Sequence, residues 1–270
     1  MKKIKNYFFE IWNVLRLPEM LILPGNLAFY LILSLIPIIS LIGIITSNLN
    51  LSTSVITNYF NASLPSQVAE IFIDLFTRSD LGTTSTIFFI LGFYVASNGP
   101  GSLITASNVL YKTKKQNFIY TKVKSLFMTF FLIFLIIFIL IVLAFGSFIL
   151  TNVLNFGVIG RFIINNYLII TILKFVISFL IIFFTIKIIY TISGSIKSKY
   201  VNRGSLFSTV AIVLVTTIYS FYVTNIAHYD IIYGSLSSIA ILMFLIYIIS
   251  YILVLGIAIN HQYYNFENNI

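Results

Sequence analysis

The segment TIFFILGFYVASNGPGSLITASNVLY, Thr86 to Tyr111, decides how this chain is read. It is long enough to cross a bilayer, yet Asn98, Gly99, Pro100 and Gly101 sit at its centre. Two glycines and a proline inside a helix cost roughly 5 kcal/mol relative to alanines. A helix facing lipid gains nothing in return, because hydrocarbon has no water for the freed backbone groups. Polar residues also recur on one face, since Ser97, Gly101, Thr105 and Asn108 follow helical spacing. Two readings follow. In one, a discontinuous helix lines a central polar cavity. In the other, a kinked helix carries a small-residue packing seam, in which Gly92 and Ala96 join.

The rest of the chain makes the membrane setting plain. It is 59% hydrophobic and 9% charged over 270 residues, which excludes an ordinary soluble domain. The expected fold is therefore an all-α integral membrane protein forming a single domain over 1–270. Its expected crossings are six, at about 26–45, 86–110, 126–150, 167–192, 206–226 and 231–259, the second of them broken. Before the first, residues 1–19 read as an amphipathic interfacial helix, with Ile4, Phe8, Ile11 and Leu15 opposite Lys3, Asn6 and Glu10. Pro24-Gly25 is expected to separate it from the first span, which Pro37 kinks and in which Ser34 can back-bond. After Pro65 a second amphipathic helix is expected, with Val68, Ile71, Phe72 and Leu75 on its apolar side. From Asn260 onward the tail reads as polar.

Charge sets the expected orientation. Lys2, Lys3, Lys5, Arg16, the lysine group 112, 114, 115, 122 and 124, and then Lys197, Lys199 and Arg203 fall on one side of six crossings. Only Arg78 and Arg161 flank the membrane on the other, so both termini are expected in the cytoplasm of a plasma or inner membrane. The lysine cluster reads as a loop and not as a nucleic-acid site, because no aromatic-interleaved recognition motif accompanies it.

Chemistry is sparse. There is no cysteine, and His228 and His261 are the two histidines, so no metal or cofactor is expected. The acidic residues all lie in loops, the tail or surface helices, and none pairs at membrane depth. General acid–base catalysis lacks its carboxylates, and an enzyme is not expected. Lys174 is the ionisable residue most clearly inside a span, on a stripe with Thr171, Ser178 and Thr185. It either snorkels to the headgroups or presents a fixed charge to a cavity. The residues expected at such a cavity are Ser34, Asn98, Gly99, Pro100, Gly101, Lys174 and Thr216. Membrane lipids are the expected partners, with an anionic lipid or a small solute as candidate substrate.

Several local patterns carry a family resemblance. Asn26-Leu27-Ala28-Phe29-Tyr30 followed by Leu33-Ser34-Leu35-Ile36-Pro37 is one. Asn202-Arg203-Gly204-Ser205, Tyr233-Gly234-Ser235-Leu236 and Gly256 with Asn260 are others. In order and spacing these resemble the YihY/BrkB family over nearly the whole chain. The resemblance implies a six-helix inner-membrane protein, with members linked to serum resistance and to envelope lipid or solute export. Some members carry an old ribonuclease label, to which the residues here lend no support. Where the family commonly places an acid two residues before the final Asn, this chain has Ala258. Transporter-like handling of a lipid or solute is one expectation, and a non-transporting scaffold or regulatory subunit is the other.

Overall fold

The computed structural model describes residues 15–48, 53–63, 66–77, 84–112, 117–134, 167–225 and 235–268. Every regular element among them is helical. In chain order these are α1 (Glu19–Asn48), α2 (Thr53–Ser63), α3 (Ser66–Thr77), α4 (Thr84–Ala96) and α5 (Asn98–Leu110). Then come α6, described over 118–134, α7 (Tyr167–Gly194), a short 3-10 turn (Ser198–Val201), α8 (Asn202–Asn225) and α9 (Ser235–Asn268). Four stretches among the described residues are long and apolar enough to cross a membrane: Glu19–Ile44, Phe175–Gly194, Ser198–Tyr222 and Ile239–Asn265. Most of the third expected span, residues 1–14 of the expected amphipathic helix, and His228 with Asp230 lie outside the described residues.

Two boundaries differ from the sequence reading. The first helix starts at Glu19 and runs straight through Pro24 and Pro37, so Pro24-Gly25 is no separator. Each proline removes one amide from the ladder, which a long packed helix absorbs. At the other end α9 continues past Asn260 to Asn268. The polar tail is held helical by ring contacts, with His261 4.9 Å from Tyr111 and Tyr264 5.2 Å from Tyr200 between centroids. Arg203 also lies over the Tyr263 ring at 3.9 Å. Outside the spans, burial and then neighbouring Tyr264 push the Tyr111 phenol well above the ordinary tyrosine range, which keeps it neutral.

The centre of the bundle is where α9 packs on both α8 and α1. Leu27 of α1, Val254 and Ile257 of α9, and Ala106 of α5 are all buried there. Gly204 and Gly256 let α8 and α9 touch backbone to backbone: a Cβ on Gly204 would collide with the Gly256 carbonyl, and one on Gly256 with Ser208 and Tyr190. Around that contact, Tyr190 Oη donates to the Leu253 carbonyl at 2.8 Å and pairs with Ser208 Oγ at 2.7 Å. The Gly204 amide donates to Asn260 Oδ1 at 2.7 Å. Small residues and interhelical hydrogen bonds of this kind replace the hydrophobic drive that lipid does not supply.

The α2–α3 pair packs on the far half of α1. Phe76, Ile39, Ile42 and Ile56 form a separate buried cluster, and Gly43 lies directly against the Phe76 carbonyl. Glu70 and Asp74 are exposed, as expected for α3, but so is Ile71, which the periodicity assigned to the buried side. The helix α2 was not foreseen.

Candidate functional site

The interruption between α4 and α5 amounts to a single residue, Ser97, in near-helical geometry (φ −67°, ψ −11°). The ladder is carried across it, since Ser97 N donates to Phe93 O at 3.1 Å and Gly101 N to Ser97 O at 2.9 Å. Pro100 is therefore the third residue of α5, in a first turn where a missing amide costs little. End to end, the two 13-residue helices supply about 39 Å at ~1.5 Å per residue.

The two faces of this break do different things. On one, Gly99 approaches α1 so closely that a Cβ would lie 3.1 Å from Ser34 Oγ and from Leu31 Cδ2. Ser34 is buried and donates to the Leu31 carbonyl at 2.8 Å. Gly92 faces the Pro37 ring in the same way, 3.4 Å from an added Cβ. This is the packing seam. Beside the seam lies a cavity of about 470 Å³. Its walls mix polar and apolar surface: Asn26 and Tyr30 come from α1, Tyr94 from α4, and Ser97 from the break. The first turns of α5 add Asn98, Gly101, Ser102 and Thr105, and α6 adds Thr121, Lys122 and Ser125, with Phe118 at the rim. Asn26, Tyr94, Thr105 and Phe118 are exposed, so the cavity opens on the side of the bundle.

Lys122 is the charge in this cavity. Its ammonium donates to Asn98 Oδ1 at 2.9 Å and to the Tyr94 carbonyl at 3.1 Å, and it sits 3.7 Å from the centre of the Tyr94 ring. None of the twelve lining residues is acidic. Lys124, two residues on, points elsewhere, to Ser195 Oγ at 2.6 Å and the Ser193 carbonyl at 3.3 Å, and ties α6 to the end of α7.

The seven expected residues thus divide. Asn98 and Gly101 line the cavity, Gly99 and Ser34 form the seam behind it, and Pro100 is buried between them. Thr216 is on α8, away from the cavity, and its hydroxyl bonds the Ile212 carbonyl of its own helix at 2.8 Å. Its hydroxyl is satisfied within its own helix, as hydroxyls in apolar helices commonly are. Lys174 belongs to α7, and its side chain lies outside the described residues. Of the polar stripe on the broken segment, Ser97, Gly101 and Thr105 do face the cavity. What the sequence reading missed is Lys122, grouped there with loop lysines. Its spacing with Ser125 and Thr129 was the available signal, three polar residues on one face of an apolar helix.

Comparison with known proteins identifies the family. A family model described as "Virulence factor BrkB" matches residues 19–269. The chain is 28% identical over 243 residues to the "Putative ribonuclease-like protein YfkH" of Bacillus subtilis (strain 168), covering 87% of each chain. No solved structure matches it. Ala258, where the family resemblance leads one to expect an acid, is buried in the apolar core between α1 and α9. With its match across nearly the whole length and its apolar helices, the chain belongs to the BrkB family of membrane proteins.

Proposed function

We propose that this protein is a transporter or lipid-handling protein of the membrane that admits an amphiphilic or polar substrate through the cavity beside the α4–α5 break. The observation that carries the reading is a side-opening cavity of about 470 Å³ whose mixed lining gathers hydroxyls, amides and one ammonium in an otherwise apolar bundle. A bundle built only to hold its helices together gains little from gathering a cation, amides and hydroxyls around an open volume, since polar groups facing hydrocarbon are costly. Exposed apolar residues adjoin it at helical spacing: Leu33 follows Tyr30 on α1, and Ile90 and Leu91 precede Tyr94 on α4. A polar pocket beside an apolar surface suits a molecule with a head and a tail.

The reading includes six crossings with both termini in the cytoplasm of the cell membrane, which the distribution of Lys and Arg supports. In that orientation the cavity lies in the inner half of the membrane. Its residues are within a few turns of the basic end, where Lys112, Lys199 and Arg203 cluster.

A second reading, a non-transporting scaffold, draws on the other face of the break, where Gly99 against Ser34 serves packing alone. Reconstitution separates the two. In vesicles of phosphatidylethanolamine and phosphatidylglycerol, the wild-type chain is expected to speed the exchange of a fluorescent phospholipid between leaflets. Thr105→Trp, which fills the cavity from an exposed position, is expected to abolish that exchange. No exchange by the wild type, or undiminished exchange by Thr105→Trp, favours the scaffold.

A further inference from the structure

Among the described residues, the cation in this cavity meets no opposite charge. The contacts of Lys122 are a carbonyl oxygen, an amide oxygen and an aromatic face. These orient an ammonium and partly replace its water, but they carry no formal negative charge. Among the described residues they occupy two of its three N–H donors. Lys122 lies four residues before the expected third span, and a half-buried cation at such a boundary is normally met by an opposite charge or by water. Here the lining residues supply hydroxyls and amides and no carboxylate. The complement that such a pocket lacks is an anion carrying several acceptor oxygens.

We infer that Lys122 is the centre of an anion-binding subsite that takes the phosphodiester of an anionic phospholipid. This rests on the reading of the cavity given above and names its ligand. The phosphate oxygens accept from the Lys122 ammonium; the Ser102 and Thr105 hydroxyls, which donate to Asn26 Oδ1 at 3.5 Å and to the Gly101 carbonyl at 3.0 Å, keep lone pairs that can accept from a headgroup bearing hydroxyls. The acyl chains run outward over Leu33, Ile90 and Leu91, all exposed beside the cavity wall. Those three residues favour a lipid over a free phosphate ester, which has nothing to place there. Asn98 acts as a positioning residue, since it holds the ammonium by its amide oxygen at 2.9 Å.

The test is equilibrium binding to the purified full chain in a neutral detergent, read by calorimetry. The probes are dioctanoyl phosphatidylglycerol, dioctanoyl phosphatidylcholine and glycerophosphoglycerol, the last being the first probe's headgroup without its chains. Phosphatidylglycerol is expected to bind at least about 10-fold more tightly than the zwitterionic lipid, in line with a charge-assisted hydrogen bond. Lys122→Ala is expected to remove that preference and Lys122→Arg to keep most of it. Lys112→Ala, a lysine outside the cavity, is expected to leave it unchanged. Asn98→Asp is the decisive partner variant, because it is isosteric and gives Lys122 an internal counter-ion. It is expected to abolish the preference even if Lys122→Ala does not fold. A preference that survives Asn98→Asp overturns the inference, as does one lost equally in Lys112→Ala. Equal affinity for glycerophosphoglycerol overturns the lipid assignment in favour of a soluble ester. Binding without leaflet exchange would defeat only the transport reading. Exchange together with an unchanged preference in Lys122→Ala would defeat only this inference.

Discussion

At the scale of single residues, two kinds of position carry the structure, and their substitutions should behave differently. Gly256 and Gly204 are places where a helix backbone touches another helix, so one methyl group has nowhere to go. Gly256→Ala is expected to cost about 1–3 kcal/mol through overpacking, seen as lower thermal stability in detergent. Gly25→Ala, where an added Cβ meets nothing within 4 Å, is the matched control and should be neutral or slightly stabilising. Tyr190→Phe removes the hydroxyl shared between Leu253 O and Ser208 Oγ, at an expected cost of about 1–3 kcal/mol. Thr216→Ala loses only a bond within its own helix and should leave both stability and activity near wild type. That contrast also explains what was legible. Asn98 stood out because an amide, two glycines and a proline have no business together in a lipid-facing helix. Ser34 back-bonds as its place before Pro37 suggests, and Thr216 does the same, whereas hydroxyls spaced along a span look like a cavity wall in either case. Lys122 was hidden by its neighbours: a cluster of lysines fixes the side of the membrane, but not which long side chain turns back into the bundle.

At the scale of elements, the break is a hinge of one residue and not an unwound segment, because its ladder continues on either side of Ser97. The packing seam expected from the sequence is present at Gly99 and Gly92, while the cavity beside the break opens on the side of the bundle and its helix is nearly continuous. Their consequences can be separated by mutation. Gly99→Leu should destabilise the chain through collision with Leu31 and Ser34, reducing folded yield whatever the function. Asn98→Ala points the change at the cavity and should leave folded yield intact while altering activity in cells, measured by complementation of a strain lacking the gene. Equal folded yield for both variants would remove the distinction between seam and cavity wall. Helix ends were the least legible feature. The continuation of α9 past Asn260 goes with tertiary partners, Tyr111 and Tyr200 against the rings of His261 and Tyr264, which nothing local announces, whereas the start at Glu19 directly follows Pro18.

At the scale of the molecule, the bundle has two unlike ends. The basic end carries aromatic and cationic side chains and the polar cavity, while the far half of α1 is covered by the α2–α3 pair. The charge pattern orients this asymmetry, and reporters fused after Ile270 and near Tyr120 are both expected in the cytoplasm. An external signal from either would reverse the orientation proposed here. The claim on which the functional account depends is narrower: that the cavity beside the break is wet and open while the protein sits in a membrane. The chain contains no cysteine, so a single one can be introduced without background. Thr105→Cys, on the exposed wall, and Leu103→Cys, in the buried core of the same helix, should be treated in membranes with a charged maleimide applied from the basic side. The account predicts rapid labelling of Thr105→Cys and none of Leu103→Cys without denaturation. Protection of Thr105→Cys equal to that of Leu103→Cys would contradict it.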